Sequence, residues 1–536
     1  MGILYYGDNL DILREHIKGE SIDLIYLDPP FNSKQAYNLL FKTPNGQNSD
    51  AQITAFDDSW HWGEQAEREF SELLHQKNTD VSEMIQSLRR FLKESDMMAY
   101  LTMMANRLLE LHKVLKPTGS LYLHCDPTAS HYLKIVLDTI FDKRNFLNEI
   151  IWKRFDFHAD AKRWGRLHDV ILLYAKDISQ FQFNPQRREY GEDYIKSHFK
   201  ADKDGRLFSN ADMLGAGQGP ARTFFNKLME PPKGTHWRFS QDNIDKMIEG
   251  GRIILTSEGR PRVKRYLDEM PGHAIGDVWI DIPEINSQAI ERLGYPTQKP
   301  LALLERIIQA SSNEGELVLD PFCGCGTAVH AAQILDRDWI GIDITHLAIG
   351  LIEKRMRKAF PNITFEIQGT PKDLDGARDL AKRNKYQFQW WACFLVDAQP
   401  YQEKKKGADS GIDGLIFFQD DFSKGAKKII VSVKGGESVT RTMIADLKNT
   451  VEREKAEIGL FVTLANPTHP MISEAASAGF YESPKGQYPK IQILTIEDLL
   501  SGKSRPQYTD ISSGSFNFRN AKTEEKRVEQ DKLKGF

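Results

Sequence analysis

Leu317-Val318-Leu319-Asp320-Pro321-Phe322-Cys323-Gly324-Cys325-Gly326-Thr327 runs from an apolar strand through a glycine-lined turn into a helix that continues over residues 328–335. Such a turn at the carboxyl end of a buried strand lets a ligand approach the backbone, and open α/β sheets hold their ligands at that edge. On its own it also describes an ordinary strand-to-helix connection. The next strand, Trp339-Ile340-Gly341-Ile342-Asp343, ends on a carboxylate about 20 residues on, where an acid can accept from both hydroxyls of a ribose. Together the two describe a nucleoside-binding crevice. The third glycine of a dinucleotide fingerprint is missing, because Thr327-Ala328-Val329 enters helix directly after Gly326. That disfavours NAD and suits S-adenosylmethionine, which has no pyrophosphate to cradle.

Outward from this stretch the same rhythm recurs. Ile22-Asp23-Leu24-Ile25-Tyr26-Leu27 is an apolar strand ending on Asp28-Pro29-Pro30-Phe31. Residues near 101–115 have helical spacing, Lys116-Pro117-Thr118-Gly119 reads as a turn, and Ser120-Leu121-Tyr122-Leu123-His124 as a strand. This is doubly wound, Rossmann-like α/β sequence. The rhythm breaks after about residue 151 and returns with a helix over residues 300–311, so an insert interrupts the fold. The expected division is 1–365 for the first domain, 366–390 for a polar linker, 391–505 for a smaller α/β domain and 506–536 for a disordered tail.

Asp28-Pro29-Pro30-Phe31 carries legible chemistry. An exocyclic base amine is a weak nucleophile because its lone pair is delocalised into the ring, and two acceptors that each take one N–H make the nitrogen more tetrahedral. The Asp28 carboxylate and the Pro29 carbonyl supply them, proline fixes the backbone direction, and Phe31 offers a face for an extruded base. The bland alternative is that Asp-Pro-Pro only ends a strand.

With Asn148-Glu149-Ile150-Ile151-Trp152-Lys153-Arg154, His168-Asp169-Val170-Ile171-Leu172-Leu173-Tyr174, Pro231-Pro232-Lys233-Gly234-Thr235-His236-Trp237-Arg238, Tyr295-Pro296-Thr297-Gln298-Lys299-Pro300 and the glycine turn following in order, the chain resembles the β-class amino DNA methyltransferases over residues 1–365. In that family the catalytic motif precedes the cofactor motif, as here. The resemblance implies catalytic roles for Asp28, Pro29, Pro30 and Phe31, and S-adenosylmethionine contacts at Asp320, Phe322, Gly324, Gly326 and Asp343. It further implies Asp8 near the cofactor adenine and Thr297, Gln298, Lys299 and Pro300 at the methionine end. Phe31 departs from the tyrosine often found in the family at that position. Asp at the first position implies adenine N6 rather than cytosine N4.

The target-recognition region of such enzymes would fall at about 175–290. It contains Arg252, Arg260, Arg262, Lys264 and Arg265 against the single acid Glu258, with Tyr266 beside them. Such a run suits DNA phosphates and equally describes a solvated basic face. A second group, Lys153, Arg154, Lys162, Arg163 and Arg166, is diluted by acids.

In the smaller domain, Asp413-Gly414 before a strand and Ser432-Val433-Lys434 within the next resemble the PD-(D/E)xK restriction-endonuclease fold. Asp413 would be the metal-binding acid and Lys434 the lysine beside the phosphate, but Ser432 stands where that family has an acid or amide. A hydroxyl is a poor Mg2+ ligand. Either Glu437 or Asp409 substitutes, or the domain binds DNA without cutting it, and Mg2+ enters only if it cleaves.

The composition bounds the rest. With 536 residues, 40% hydrophobic and 27% charged, the chain reads as globular and has several units. Cys125, Cys323, Cys325 and Cys393 are too scattered for a disulfide framework and lack zinc-site spacing, so no metal is expected in the first domain. A net charge of -4 leaves nucleic-acid binding to local patches. The absence of a signal-like start or a long apolar run predicts a cytoplasmic protein with no membrane partner, the family resemblance implies double-stranded DNA as partner, and a homodimer stays open. Two readings follow: a methyltransferase of a restriction-modification or phage-defence system, and a fused modification-and-cleavage enzyme.

Overall fold

The computed structural model describes the chain apart from residues 31–35, 43–47, 58–60, 156–161, 163, 287, 288, 290, 294, 296, 402–410, 422–424, 513–523 and 525–536, and describes only the backbone of 36–42 and 48–57. Met1–Asn184 and Asp277–Phe536 make one compact unit, and Pro185–Gly276 another.

The first unit is built on a nine-stranded sheet. In chain order its strands are β1 (Gly2–Tyr6), β2 (Ile22–Leu27), β3 (Leu115–Cys125), β4 (Phe146–Lys153), β5 (His168–Ala175), β6 (Val278–Trp279), β7 (Leu317–Asp320), β8 (Asp338–Asp343) and β9 (Phe365–Gln368). Their spatial order is β6-β4-β5-β3-β2-β7-β8-β1-β9. From β3 to β9 every pairing is parallel, and β5 lies antiparallel between β3 and β4. All six residues of β2 are buried, as a parallel strand covered on both faces requires.

The helices used below are α1 (Asn9–Glu15), α2 (Asp96–Val114), α3 (Leu301–Ser311), α4 (Thr327–Ile334), α5 (His346–Ala359), α6 (Leu374–Arg383) and α7 (Lys385–Leu395). Helix α2 begins at Ser95, whose side chain accepts the Met98 N–H, and runs directly into β3. The turn expected at Lys116–Gly119 is therefore strand, with a shift of register against β2 between Ile22 and Leu24.

The second sheet of this unit holds Gln399–Pro400, Gly414–Phe418, Lys427–Lys434, Ile458–Thr463 and Ile491–Thr495 in sequence order, the first two pairings antiparallel and the last two parallel. Two expectations need correction. Residues 366–390 are not a linker: β9 edges the large sheet, and α6 and α7 follow it. The tail does not begin at 506, because Tyr508 packs on Phe418 with ring centroids 5.3 Å apart and the Ile511 N–H donates to the Gln419 carbonyl at 2.7 Å. Backbone hydrogen bonding holds this segment despite its few apolar side chains.

The separate unit, Pro185–Gly276, is narrower than the insert expected at 175–290. Its four-stranded sheet includes Leu207–Asp212 and Pro261–Tyr266, antiparallel, over a small core of Met213, Phe224, Trp237, Ile244, Ile253 and Val263. No helix among the described residues is long and apolar enough to cross a membrane.

Candidate active site

Four neighbouring parallel strands, β2, β7, β8 and β1, release their loops at the same edge of the sheet. Val318 pairs with Leu24, Val318 with Trp339, and Tyr6 with Asp343. This registration gathers Asp28, Asp320, Asp343 and Asp8 around one cavity of about 600 Å³.

The glycine turn is locked onto Asp343. The Gly324 N–H donates to one carboxylate oxygen at 3.0 Å, and the Thr345 N–H and hydroxyl both donate to the other at 2.9 Å. These bonds fix the orientation of the carboxylate in the cavity wall. Burial pushes the Asp343 carboxyl up to about 6, while these hydrogen bonds pull the other way. Gly326 does not line the cavity. It caps α4 at φ 74, and a Cβ there would come within 2.8 Å of Ile352 on α5, so helix packing and a left-handed backbone require the glycine.

Asp28 is paired with the ammonium of Lys299, which is itself buried. The loop that brings Lys299 there is held by Gln298, whose amide accepts the Leu293 N–H and donates to the Glu291 carbonyl. Behind Asp28, the Tyr26 hydroxyl meets His124 Nδ1 at 3.0 Å, His124 Nε2 meets Asp169 at 3.1 Å, and Arg154 joins Asp169 to Glu284. Burial alone would raise the Asp169 carboxyl; the hydrogen bond from His124 and the nearby Arg154 and Lys299 overcome it and hold it at about 2. Tyr26 also lines the cavity, so this chain of polar groups braces the strand end that carries Asp28.

Asp8 caps α1 through the Leu10 N–H and accepts from Arg107 at 2.9 and 3.1 Å. Arg107 also donates to Asn9, and Asn9 donates to the Pro321 carbonyl, tying the first loop to the glycine turn. Thus the two cationic side chains of the lining, Arg107 and Lys299, each face an aspartate. Asp320 and Asp343 instead meet N–H and O–H donors. Burial drives the Asp320 carboxyl far above the usual range, and Asp28 and Asp343 add to the effect. Among the described residues of the lining, the net negative charge is thus left to Asp343, and both cations are engaged by aspartates.

The family described as DNA methylase matches residues 22–354, well over half of the chain. The chain belongs to the DNA methylase family. It is 30% identical to the type II methyltransferase M.EcaI of Enterobacter cloacae over 66% of this chain and 68% of that one. It is 25% identical to the Mod subunit of the type III restriction-modification enzyme StyLTI of Salmonella typhimurium, over 62% of this chain and 50% of that one. With the DNA adenine methyltransferase YhdJ of Escherichia coli it shares 24% identity over 71% of this chain and 91% of that one. Residues 394–501 match a family described as NACHT-associated inactive restriction endonuclease.

Within this methylase, Asp8, Asp28, Pro29, Pro30, Thr297, Gln298, Lys299, Asp320, Phe322, Gly324 and Asp343 meet at the cavity, whereas Pro300 caps α3 and stays out of the lining. Phe31 lies outside the described residues. Lys299 is paired with Asp28, Gln298 bonds within its own loop, and both line the cavity beside Thr297. Sequence reading missed Arg107, whose signal is a lone charge in the apolar run 103–109. It also missed Asn384, Tyr386, Gln387 and Trp390, which line the cavity from the region expected to be linker.

In the insert the basic run is largely neutralised. Arg252 pairs with Glu269, Arg260 with Glu258, Arg262 with Asp212 at 3.0 Å and Lys264 with Asp202 at 2.8 Å. Arg265 is exposed. Strand Pro261–Tyr266 causes this, since alternation puts Pro261 and Val263 on one face and Arg262 and Lys264 on the other.

In the C-terminal domain Asp413, Ser432 and Lys434 do come together. The Ser432 hydroxyl is 3.5 Å and the Lys434 ammonium 4.0 Å from one Asp413 oxygen. That oxygen accepts the Val433 N–H at 2.7 Å and the other accepts from Gln389 at 2.9 Å. Asp409 lies outside the described residues. Among the described residues no group of three His, Cys, Asp or Glu side chains is placed to hold a metal ion.

Proposed function

We propose that this methylase moves a methyl group from S-adenosylmethionine to adenine N6 of a specific DNA sequence in a restriction-modification or phage-defence system. The observation that carries the reading is the charge balance of the cavity: both lining cations are paired with aspartates, and Asp343, ionised above about pH 6, adds a carboxylate with only N–H and O–H donors around it, at the edge where Asp28-Pro29-Pro30 emerges. An acidic pocket suits a cofactor bearing a sulfonium and an ammonium and repels the phosphates of a dinucleotide. Asp343 would hold the ribose, and Asp8 would stand near the adenine. When bound, S-adenosylmethionine supplies an electrophilic methyl group.

The chain's own residues prepare the nucleophile. The Asp28 carboxylate and the Pro29 carbonyl accept the two amine hydrogens and turn the nitrogen lone pair out of the ring, and the Asp28 side receives the proton lost after transfer. Lys299 fixes the direction of that carboxylate. Asp rather than Ser at this position favours adenine, as does the relative named a DNA adenine methyltransferase. Single-molecule sequencing of DNA from cells expressing the protein tests the proposal. Wild type should leave methyladenine at one motif, and Asp28→Ala should leave none; unmodified DNA with wild type would overturn the function, and methylcytosine would overturn the base.

For the C-terminal domain we infer DNA binding without efficient cleavage. Both Asp413 oxygens are engaged by neutral donors, and Ser432 adds no charge for Mg2+. Purified protein should leave unmethylated DNA intact in Mg2+ or Mn2+. Robust cutting abolished by Asp413→Ala and Lys434→Ala would establish the fused modification-and-cleavage enzyme instead.

A further inference from the structure

Helix α7 is apolar on two faces. Phe388, Trp391, Ala392 and Cys393 enter the core of the C-terminal domain. Tyr386, Trp390 and Phe394, spaced four apart, form another face. That second face meets the methylase. Phe394 lies so close to α5 that a Cβ at Gly350 would come within 2.8 Å of its ring. Beyond Phe394, Asp397 holds the buried ammonium of Lys354 at 2.7 Å. Trp390 packs against a cluster shared by Tyr295, Cys325 and Leu347 of the methylase and Ile412, Leu415 and Ile430 of the C-terminal domain.

The amino end of α7 reaches the cavity beside Asp343. The Gln387 side chain accepts the His346 N–H at 3.1 Å, three residues past Asp343, and His346 stacks on Tyr6 at 3.6 Å. Asn384 caps α7 through the Gln387 N–H, so Tyr386 projects from an anchored first turn. Among large apolar side chains of the lining, only Ile344 and Tyr386 are exposed, at 59% and 65%. Burial elsewhere explains neither: both present apolar surface to the space next to the ribose-binding carboxylate.

We propose that the C-terminal domain completes the cofactor site, with Tyr386 stacking on the adenine ring of the nucleoside that Asp343 holds. This rests on the S-adenosylmethionine reading above and extends it. The nuclease-like domain thereby acquires a role that needs no phosphodiester chemistry: cofactor affinity depends on its docking.

Calorimetry of S-adenosylmethionine with the full chain tests the idea, using Tyr386→Ala, Tyr386→Phe and Asp343→Ala beside wild type. Because Tyr386 is exposed, both Tyr386 variants should melt like wild type. Loss of a base-aromatic stack should weaken binding about tenfold in Tyr386→Ala, and Tyr386→Phe should stay within about twofold. Tyr386→Ala binding like wild type while Asp343→Ala is impaired would overturn the proposal and leave the cofactor reading standing. Wild type that fails to bind S-adenosylmethionine would overturn both.

Discussion

Asp343 is a carboxylate in surroundings that resist its charge. Burial raises it to about 6, so the folded chain holds this proton more tightly than the unfolded one. The group therefore adds stability at acid pH, and that contribution is lost as pH rises through about 6. Cofactor binding has the opposite sign, because the ionised form is the better acceptor of a ribose hydroxyl. Affinity for S-adenosylmethionine should fall by up to about tenfold for each pH unit below that pKa. Calorimetry between pH 5 and 8, roughly the span around the transition, should show the fall in wild type and a flat profile in Asp343→Asn. Persistence of the fall in that variant would assign the proton to another group, with buried Asp320 next in line. Asp28 and Asp343 were legible in the sequence because each follows an apolar strand and precedes a turn. Arg107 was not, since its partners Asp8 and Asn9 lie about a hundred positions away and only the fold joins them.

At the scale of elements, strands and helices were readable wherever apolar periodicity was strong, as at Ile22–Leu27 and Leu317–Asp320, where the structure reproduces the expected bounds. What periodicity does not disclose is which neighbour answers a charge. The run Arg262, Lys264, Arg265 reads as a patch, yet the adjacent strand Leu207–Asp212 and the turn before it supply Asp212 and Asp202. Lys264 and the Tyr266 hydroxyl share Asp202, and these bonds hold its carboxyl well below the usual range. Charge reversal should therefore separate two neighbouring residues. Arg265→Glu is expected to weaken DNA binding and reduce the log-log salt slope by about 0.9 if it meets one phosphate, with thermal stability unchanged. Lys264→Glu should lower the melting temperature of the protein first, by placing two carboxylates together. Equal effects of the two on melting and on the salt slope would count against this division.

For the whole molecule, the domain boundary was the least legible feature. Residues 361–383 are polar enough to suggest a tether, and the expected boundary at 390 cuts through α7. The contrary signal was Phe388-Gln389-Trp390-Trp391-Ala392-Cys393-Phe394, too apolar all round for a helix at the edge of a free module. On its second apolar face Phe394 lies against α5 and Trp390 against the cluster containing Tyr295, Cys325 and Leu347, which continues into the C-terminal sheet. Chain ends joined by a shared core unfold together, whereas tethered modules melt separately. The full chain should thus lose its methylase and C-terminal signals in one transition. Truncation after Thr370, which spares β9, uncovers the Gly350 surface and removes Asp397 from Lys354. Losing that packing should cost about 2 to 3 kcal/mol, roughly 3 to 5 °C for a domain of this size. Differential scanning calorimetry of both chains is the measurement. A truncated chain melting at the temperature of the full one, with a second independent transition in the full chain, would show that the C-terminal domain is only carried along.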